Sequence, residues 1–450
     1  MFKSCYYIVL LSLLLWSVEP PAEAAHRRVR RQNRSHQLLA SIGVQLQRYD
    51  PRRAINGGLQ YTDFDRELRQ LFLGTRRLTL GLAQQNINSL STRNNREGKM
   101  QARISREVPF PCPLNNSRSS KPPISVHRLR PGDIDIIAAF GDSLSAGNGI
   151  MSNTALDMIN EFRGMTFSGG GLGNWRQFLT LPNILKVYNP NLYGYAVDNS
   201  LVVNHNMARL NIAEPMIMSH DLPFQARVFI DLLRRDPHVD MDRHWKLLTV
   251  FVGNNDLCSD LCHWDDVNVM LDRHARDLHR AFTLLRDNVP RLLINLVVVP
   301  NLIKPIQTMS PLPLQCFVVH RIACACLASD RLSEAKRQQL SKLIQRWQQI
   351  ELDVAALPEF QREDFAIIAH PMIANITLPR TLDGQTDFRY FGHDCFHFSQ
   401  RGHAVLANML WNSMLSPDDQ KPRKFRKPFQ KFFCPSEEQP YFLIPSSAKR

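Results

Sequence analysis

An α/β fold built on a parallel central sheet, with helices on both faces, is what this 450-residue sequence predicts. Three observations carry that expectation. Four short apolar runs, at 134–140 (IDIIAAF), 247–252 (LLTVFV), 292–299 (LLINLVVV) and 365–369 (FAIIA), are bounded by turn residues, as strands buried on both faces are. Longer stretches with apolar residues at helical spacing alternate with them. The polar residues able to do chemistry cluster just after these runs, where the sites of such sheets lie.

In chain order, the first element is not part of the fold. A basic start at Lys3, a short apolar run at 6–16 and an Ala-x-Ala pattern before Ala25 predict a cleaved secretory signal peptide at 1–24. The alternative, an uncleaved anchor, meets a run too short to span a bilayer comfortably. Residues 25–110 read as a basic leader or prosegment, partly disordered, with an Arg27–Arg31 cluster of the kind processing proteases cut and some helical periodicity at 59–82. A linker rich in Pro, Ser and Asn at 109–123 opens the main domain, 111–417. Within it the helical stretches are 223–233, 266–289, 332–357 and 402–414. The second of these has Val269, Leu278, Ala281, Leu285 and Val289 at helical spacing. A basic extension, 418–450, follows, tied to the domain by Cys434.

Apolar residues make up 44% of the chain and charged residues 21%, which supports a packed core and excludes global disorder. The net charge of +14 invites a nucleic-acid reading, and its distribution argues against one. Residues 25–110 carry 17 Arg/Lys against 6 Asp/Glu and the tail carries 8 against 4, which leaves 111–417 without net charge. The basic ends read either as contacts for anionic membrane surfaces or matrix polyanions, or as solvated flanks.

One cysteine, Cys5, leaves with the signal peptide; the remaining eight form an even set in an exported chain and predict disulfides. Proximity and position favour Cys258–Cys262 and Cys112–Cys434 as pairs. Cys258-x3-Cys262-His263 has the look of a metal knuckle, but no second pair at zinc-finger spacing follows, and no metal is expected there. Asn33, Asn115 and Asn375 each begin an Asn-x-Ser/Thr sequon.

Four blocks carry candidate chemistry. Gly141-Asp142-Ser143-Leu144 follows the first run, where a serine can present its hydroxyl and its own N–H; the bland reading is a turn and a helix N-cap. Ser168-Gly169-Gly170-Gly171-Leu172 offers N–H groups free of side-chain bulk, or is simply a flexible turn. Gly253-Asn254-Asn255-Asp256 follows the second run and offers an amide donor for an oxyanion, or is a polar turn. Asp394-Cys395-Phe396-His397 supplies an imidazole base with an acid three residues earlier to orient it, or a surface loop with a cap for the next helix. The nearby His403 reads as a structural histidine.

The four blocks in this order resemble the GDSL/SGNH hydrolase superfamily. Longer strings, 110–113 (FPCP), 125–131 (SVHRLRP), 181–185 (LPNIL), 255–258 (NDLC), 362–365 (REDF) and 394–399 (DCFHFS), are similar to the membrane-associated phospholipase B branch. The resemblance covers about 110 to 440. It implies an SGNH-type three-layer α/β/α fold, with Ser143 as nucleophile, His397 as base and Asp394 as its orienter. The implied oxyanion donors are the Ser143 N–H, a glycine N–H and the Asn255 side chain. Gly171 is preferred over Gly170 for the glycine, because the superfamily's glycine usually precedes an Asp and Leu172 takes that place here; both remain open. The resemblance further implies hydrolysis of glycerophospholipids and lysophospholipids at a membrane or micelle surface, with no metal or other cofactor. A secreted enzyme with no transmembrane segment after the signal peptide is therefore expected. The other readings are an esterase of the same fold acting on acetylated sugars or neutral lipids, and a non-catalytic lipid-binding protein.

Overall fold

The computed structural model describes residues 87–444. The expected signal peptide at 1–24, the Arg27–Arg31 cluster, the Asn33 sequon and the periodic stretch at 59–82 lie outside the described residues. Four strands, β1 (Ile134–Gly141), β2 (Trp245–Phe251), β3 (Leu292–Val297) and β4 (Phe365–His370), form one sheet in sequential order, each parallel to its neighbour. Their principal helical neighbours are α1 (Ile87–Arg96), α2 (Ser143–Ala146), α3 (Leu181–Tyr188), α4 (Leu222–Arg235), α5 (Val267–Asn288), α6 (Leu314–Ala323), α7 (Glu334–Ala355) and α8 (Gln400–Met414).

The apolar runs become strands because both faces of the sheet are covered. Every strand residue except Asp135 and Ala369 is buried. Side chains alternate between two cores: Ile137, Leu247, Leu293 and Ile368 face one, and Ala138, Leu248, Ile294 and Ile367 the other. Right-handed crossovers between sequential parallel strands place α4, α5 and α7, which lead into β2, β3 and β4, on one side. Phe229 of α4, Phe282 of α5 and Val354 of α7 lie there, in the second core. After β4 the chain returns over the opposite face as α8, whose Val405 and Trp411 share the first core with Ile184 of α3. This is the three-layer architecture the sequence predicts.

Local chemistry sets the helix ends. Asp266 caps α5 by accepting from the Asn268 N–H, Ser333 caps α7, Ser399 caps α8, and Pro223 occupies the first turn of α4. The open edge of β1 is covered by two short segments that the sequence does not announce. Tyr193 exchanges main-chain bonds with Asp135 and Ile137, and Leu210, Ile212 and Glu214 bond to Ala139 and Gly141.

Residues 87–110, the end of the basic leader, pack onto this body. Leu90 and Met100 share a cluster with Ile150, Met151, Phe162 and Met165. The Gln101 side chain accepts from the Leu179 N–H and donates to the Trp175 carbonyl, while its N–H donates to Gln400. The 110/111 division drawn from sequence thus falls inside a packed segment. At the other end, Trp411 Nε1 donates to the Phe433 carbonyl and the Phe442 N–H to that of Leu129.

Four disulfides occur among the described residues. Cys112–Cys434 is the expected tie between the ends. The expected Cys258–Cys262 bond is corrected: Cys258 pairs with Cys324 and Cys262 with Cys326. The helical turn holding Cys258 and Cys262 packs against the turn holding Cys324 and Cys326, so each sulfur finds a partner across the interface. The donor atoms of Cys262, His263 and Cys326 lie within 4.8 Å of one another, and the two sulfurs are bonded to each other. The fourth bond is Cys316–Cys395. Asn115 and Asn375 are exposed. Among the described residues no helix is long and apolar enough to cross a membrane.

Candidate active site

The site forms where β1 and β2 end. β1 stops at Gly141, and α2 begins at Ser143 with Asp142 as its N-cap. The capping carboxylate accepts from the Leu144 N–H at 2.9 Å through one oxygen and from Asn254 Nδ2 at 3.2 Å through the other. Asn254 stands just past β2, so Asp142 joins the first and third blocks. Burial pushes the Asp142 carboxyl up to about 6, against the hydrogen bonds and the nearby His397 charge that favour its ionised form. As the first residue of a helix, Ser143 has an N–H with no intrahelical acceptor.

The fourth block arrives on the loop before α8. His397 Nε2 lies 2.7 Å from Ser143 Oγ, and His397 Nδ1 lies 2.5 Å from Asp394 Oδ2. The other Asp394 oxygen accepts from the N–H groups of Phe396 and His397, so the acid is held by its own loop. Burial of His397 disfavours its charge, but the Asp394 charge and hydrogen bond, with Asp142 behind them, outweigh it and hold the imidazole above its ordinary value of 6.5. Asp394 is deeply buried, yet the His397 charge and three hydrogen bonds hold it below the usual carboxylate value. A hydroxyl, an imidazole and a carboxylate in hydrogen-bonded series are the arrangement that can activate a hydroxyl for nucleophilic attack.

Two supports of His397 were not legible in sequence. Gly149 has φ +81°, and a Cβ there would stand 2.5 Å from the His397 Cβ. Cys395, between Asp394 and His397, is the one bonded to Cys316. His403 behaves as expected. It is fully buried, its Nδ1 accepts from the Phe167 N–H at 3.1 Å, and burial pushes its pKa down to about 3, so it stays neutral.

The oxyanion donors differ in part from expectation. The Gly171 N–H donates to the Ala196 carbonyl at 2.8 Å and the Gly170 N–H to that of Thr166 at 3.0 Å. Both are spent on main-chain bonds, so neither glycine is a free donor for an oxyanion. A Cβ on Gly171 would meet the Tyr195 ring at 2.0 Å, which gives this glycine a packing role. Asn255, the expected amide donor, directs Nδ2 to the Ile217 carbonyl at 2.9 Å and retains that nitrogen's second hydrogen. Asp256 accepts from the N–H and hydroxyl of Ser219, and burial raises its carboxyl to about 7. The third block therefore holds the 214–219 loop against the site. Met216 in that loop has φ +67°, a left-handed conformation costly for a side chain and often found at functional sites.

A family model described as GDSL-like lipase/acylhydrolase matches residues 137–410, a span that begins in β1 and ends in α8 and contains all four blocks. The chain belongs to this family. Similar curated proteins include membrane-associated phospholipase B1 from three mammals. The human protein is 34% identical over 342 residues, covering 74% of this chain and 23% of that protein. The rat protein is 34% identical over 335 residues, covering 74% and 22%, and the mouse protein 34% over 330, covering 72% and 22%. The chain thus spans about a quarter of the length of these relatives. Family membership places Ser143 in the block for which these lipases and acylhydrolases are named, and the observed sheet is consistent with their fold.

Proposed function

We propose that this protein is a secreted serine esterase that hydrolyses the acyl esters of glycerophospholipids and lysophospholipids. The observation that carries the reading is the continuous hydrogen-bonded series from Asp394 through His397 to Ser143, at the carboxyl end of β1. The similar phospholipase B1 proteins supply the substrate class. Export is the sequence's own expectation, in keeping with four disulfides.

In this reading Ser143 Oγ attacks the ester carbonyl as its proton passes to His397 Nε2. Asp394 holds Nδ1–H toward itself and stabilises the imidazolium. The Ser143 N–H and the remaining Asn255 amide hydrogen receive the oxyanion. His397 then returns the proton to the departing glycerol oxygen, and water repeats the cycle on the acyl-enzyme. The test is fatty-acid release from phosphatidylcholine and lysophosphatidylcholine by the secreted protein and by Ser143→Ala. Release by the wild type and none by the variant is expected; equal release by both would refute the assignment.

A further inference from the structure

The two basic ends of the sequence meet on one face of the fold. Residues 421–434 (KPRKFRKPFQKFFC) contain six Lys/Arg and no acid. They form an irregular strap along α8, fixed through its main chain. Asn408 accepts from the Phe429 N–H, Asn412 from the Phe433 N–H, and both amides donate to the Lys431 carbonyl. The aromatic side chains turn inward: Phe425 packs on Tyr390 and Phe398, while Phe429 and Phe432 join a cluster with Trp175 and Phe110. Facing outward are Arg423, Lys424, Arg426, Lys427 and Lys431, all exposed. The end of the leader borders the same cluster. The Arg176 guanidinium lies over Trp175 and donates to the carbonyls of Ser105, Arg106 and Val108, and Cys112 is bonded to Cys434. Arg103 and Arg106 of that segment are exposed as well. The nearby ion pairs are Lys421–Asp418, Arg118–Asp135 and Lys99–Glu97, and among the described residues the outward cations form none. The acid within 99–110 is Glu107.

That surface selects a partner. Cations held side by side without counter-charges raise the local potential and attract a polyanion. Guanidinium groups pair with sulfate and phosphate oxygens two at a time. Peripheral attachment to a bilayer combines cations with apolar groups that insert, and the strap has turned Phe425, Phe429 and Phe432 into the core. A linear polysaccharide with sulfates along its length needs only spaced cations, the pattern of a Lys/Arg-rich heparin patch. Export, part of the function proposed above, brings the face to such chains and away from nucleic acid. We propose that the strap 423–431, with Arg103 and Arg106 beside it, is a docking face for a sulfated polysaccharide. The proposal takes export, but not hydrolysis, from the esterase reading.

The test measures binding of fluorescein-labelled heparin to the full-length secreted protein as a function of salt. Arg423→Ser/Lys424→Ser/Arg426→Ser/Lys427→Ser should weaken binding roughly a hundredfold at physiological salt and flatten the slope of log Kd against log salt by about three. Arg331→Ser/Lys336→Ser/Lys342→Ser/Arg346→Ser removes the same charge from α7 and the turn before it, on the other side of the sheet, and should stay within about threefold of wild type. Equal weakening in both would reduce the effect to net charge and overturn the proposal, as would no heparin binding by wild type. Desulfated heparin should fail to compete; competition equal to that of heparin would remove sulfate as the recognised group. Phosphatidylserine vesicles bound more tightly than heparin, and released by the strap substitutions, would make a membrane the partner instead. If the strap variant melts early, Arg103→Ser/Arg106→Ser decides: binding weakened roughly tenfold supports the face, and unchanged binding overturns it. Ser143→Ala should bind heparin as wild type does, so loss of the esterase reading and loss of this face are separate results.

Discussion

Cys395, which directly follows the Asp394 that orients His397, is covalently bound to Cys316 on α6. Its backbone is left-handed, at φ +56°, in the same turn whose N–H groups hold the Asp394 carboxylate. The disulfide therefore fixes the loop that carries Asp394 and His397.

Removing this bond should damage catalysis more than folding. The Cys316→Ala/Cys395→Ala double variant is expected to lose about 100-fold in kcat, since displacements near 1 Å in an active site cost that much. The Cys112→Ala/Cys434→Ala variant, whose bond joins the two ends far from the catalytic loop in sequence, should lose about 2–4 kcal/mol of stability and keep kcat. Denaturant unfolding and steady-state kinetics on both variants check the contrast. Equal kinetic loss in the two would contradict the positioning role.

The pH profile follows from the state of His397. The base must be neutral, and its pKa in the folded protein is raised above 6.5 by Asp394 despite burial. The rate should therefore rise with pH through a midpoint above 6.5. The linkage has the opposite sense for stability. A raised imidazole pKa contributes stability below its unfolded value, and that contribution fades as pH climbs through the folded value. The enzyme thus gains its base where it loses the ion pair. In Asp394→Asn the raising charge is gone and burial lowers the pKa, so the midpoint should move down while kcat falls about 10⁴-fold. A kcat/KM titration of wild type and variant measures both.

The two residue types offered for the oxyanion separate by mutation. Asn255→Ala should lower kcat by about 10²–10³ with little change in KM, the loss usual for one preorganised donor. Gly171→Ala should act on stability instead, because its N–H already serves Ala196 and an added methyl group meets the Tyr195 ring. Thermal unfolding beside kinetics distinguishes them. A kcat loss in Gly171→Ala with unchanged stability would restore that glycine to the site.

Much of this molecule was legible in its sequence for physical reasons. Strands buried on both faces must be continuously apolar, so 134–140, 247–252, 292–299 and 365–369 announced themselves, and the polar turns after the first two located the site. Asp394 and His397 were readable because an acid three residues before an imidazole can reach it within one loop. What stayed hidden depended on distant partners. The glycine run at 169–171 says nothing of where its N–H groups point, and pairing with Ala196 and Thr166 decides that. Cys258 and Cys262 are close in sequence, but each finds its partner on the turn packed against theirs, Cys324 for one and Cys326 for the other. The segments covering the edge of β1 are too short to show a period. In α1, Leu90 is buried in a largely polar run, so the end of the leader reads as a flank until its partners Met151 and Phe162 are known.

The most direct test of the central claim is covalent labelling with a fluorophosphonate probe, followed by peptide mass spectrometry. The account predicts a single adduct on Ser143, and labelling strongly slowed in His397→Ala, because the base that activates Oγ is gone. A folded protein that takes no label, or takes it on another serine, would contradict the assignment of Ser143 as the nucleophile.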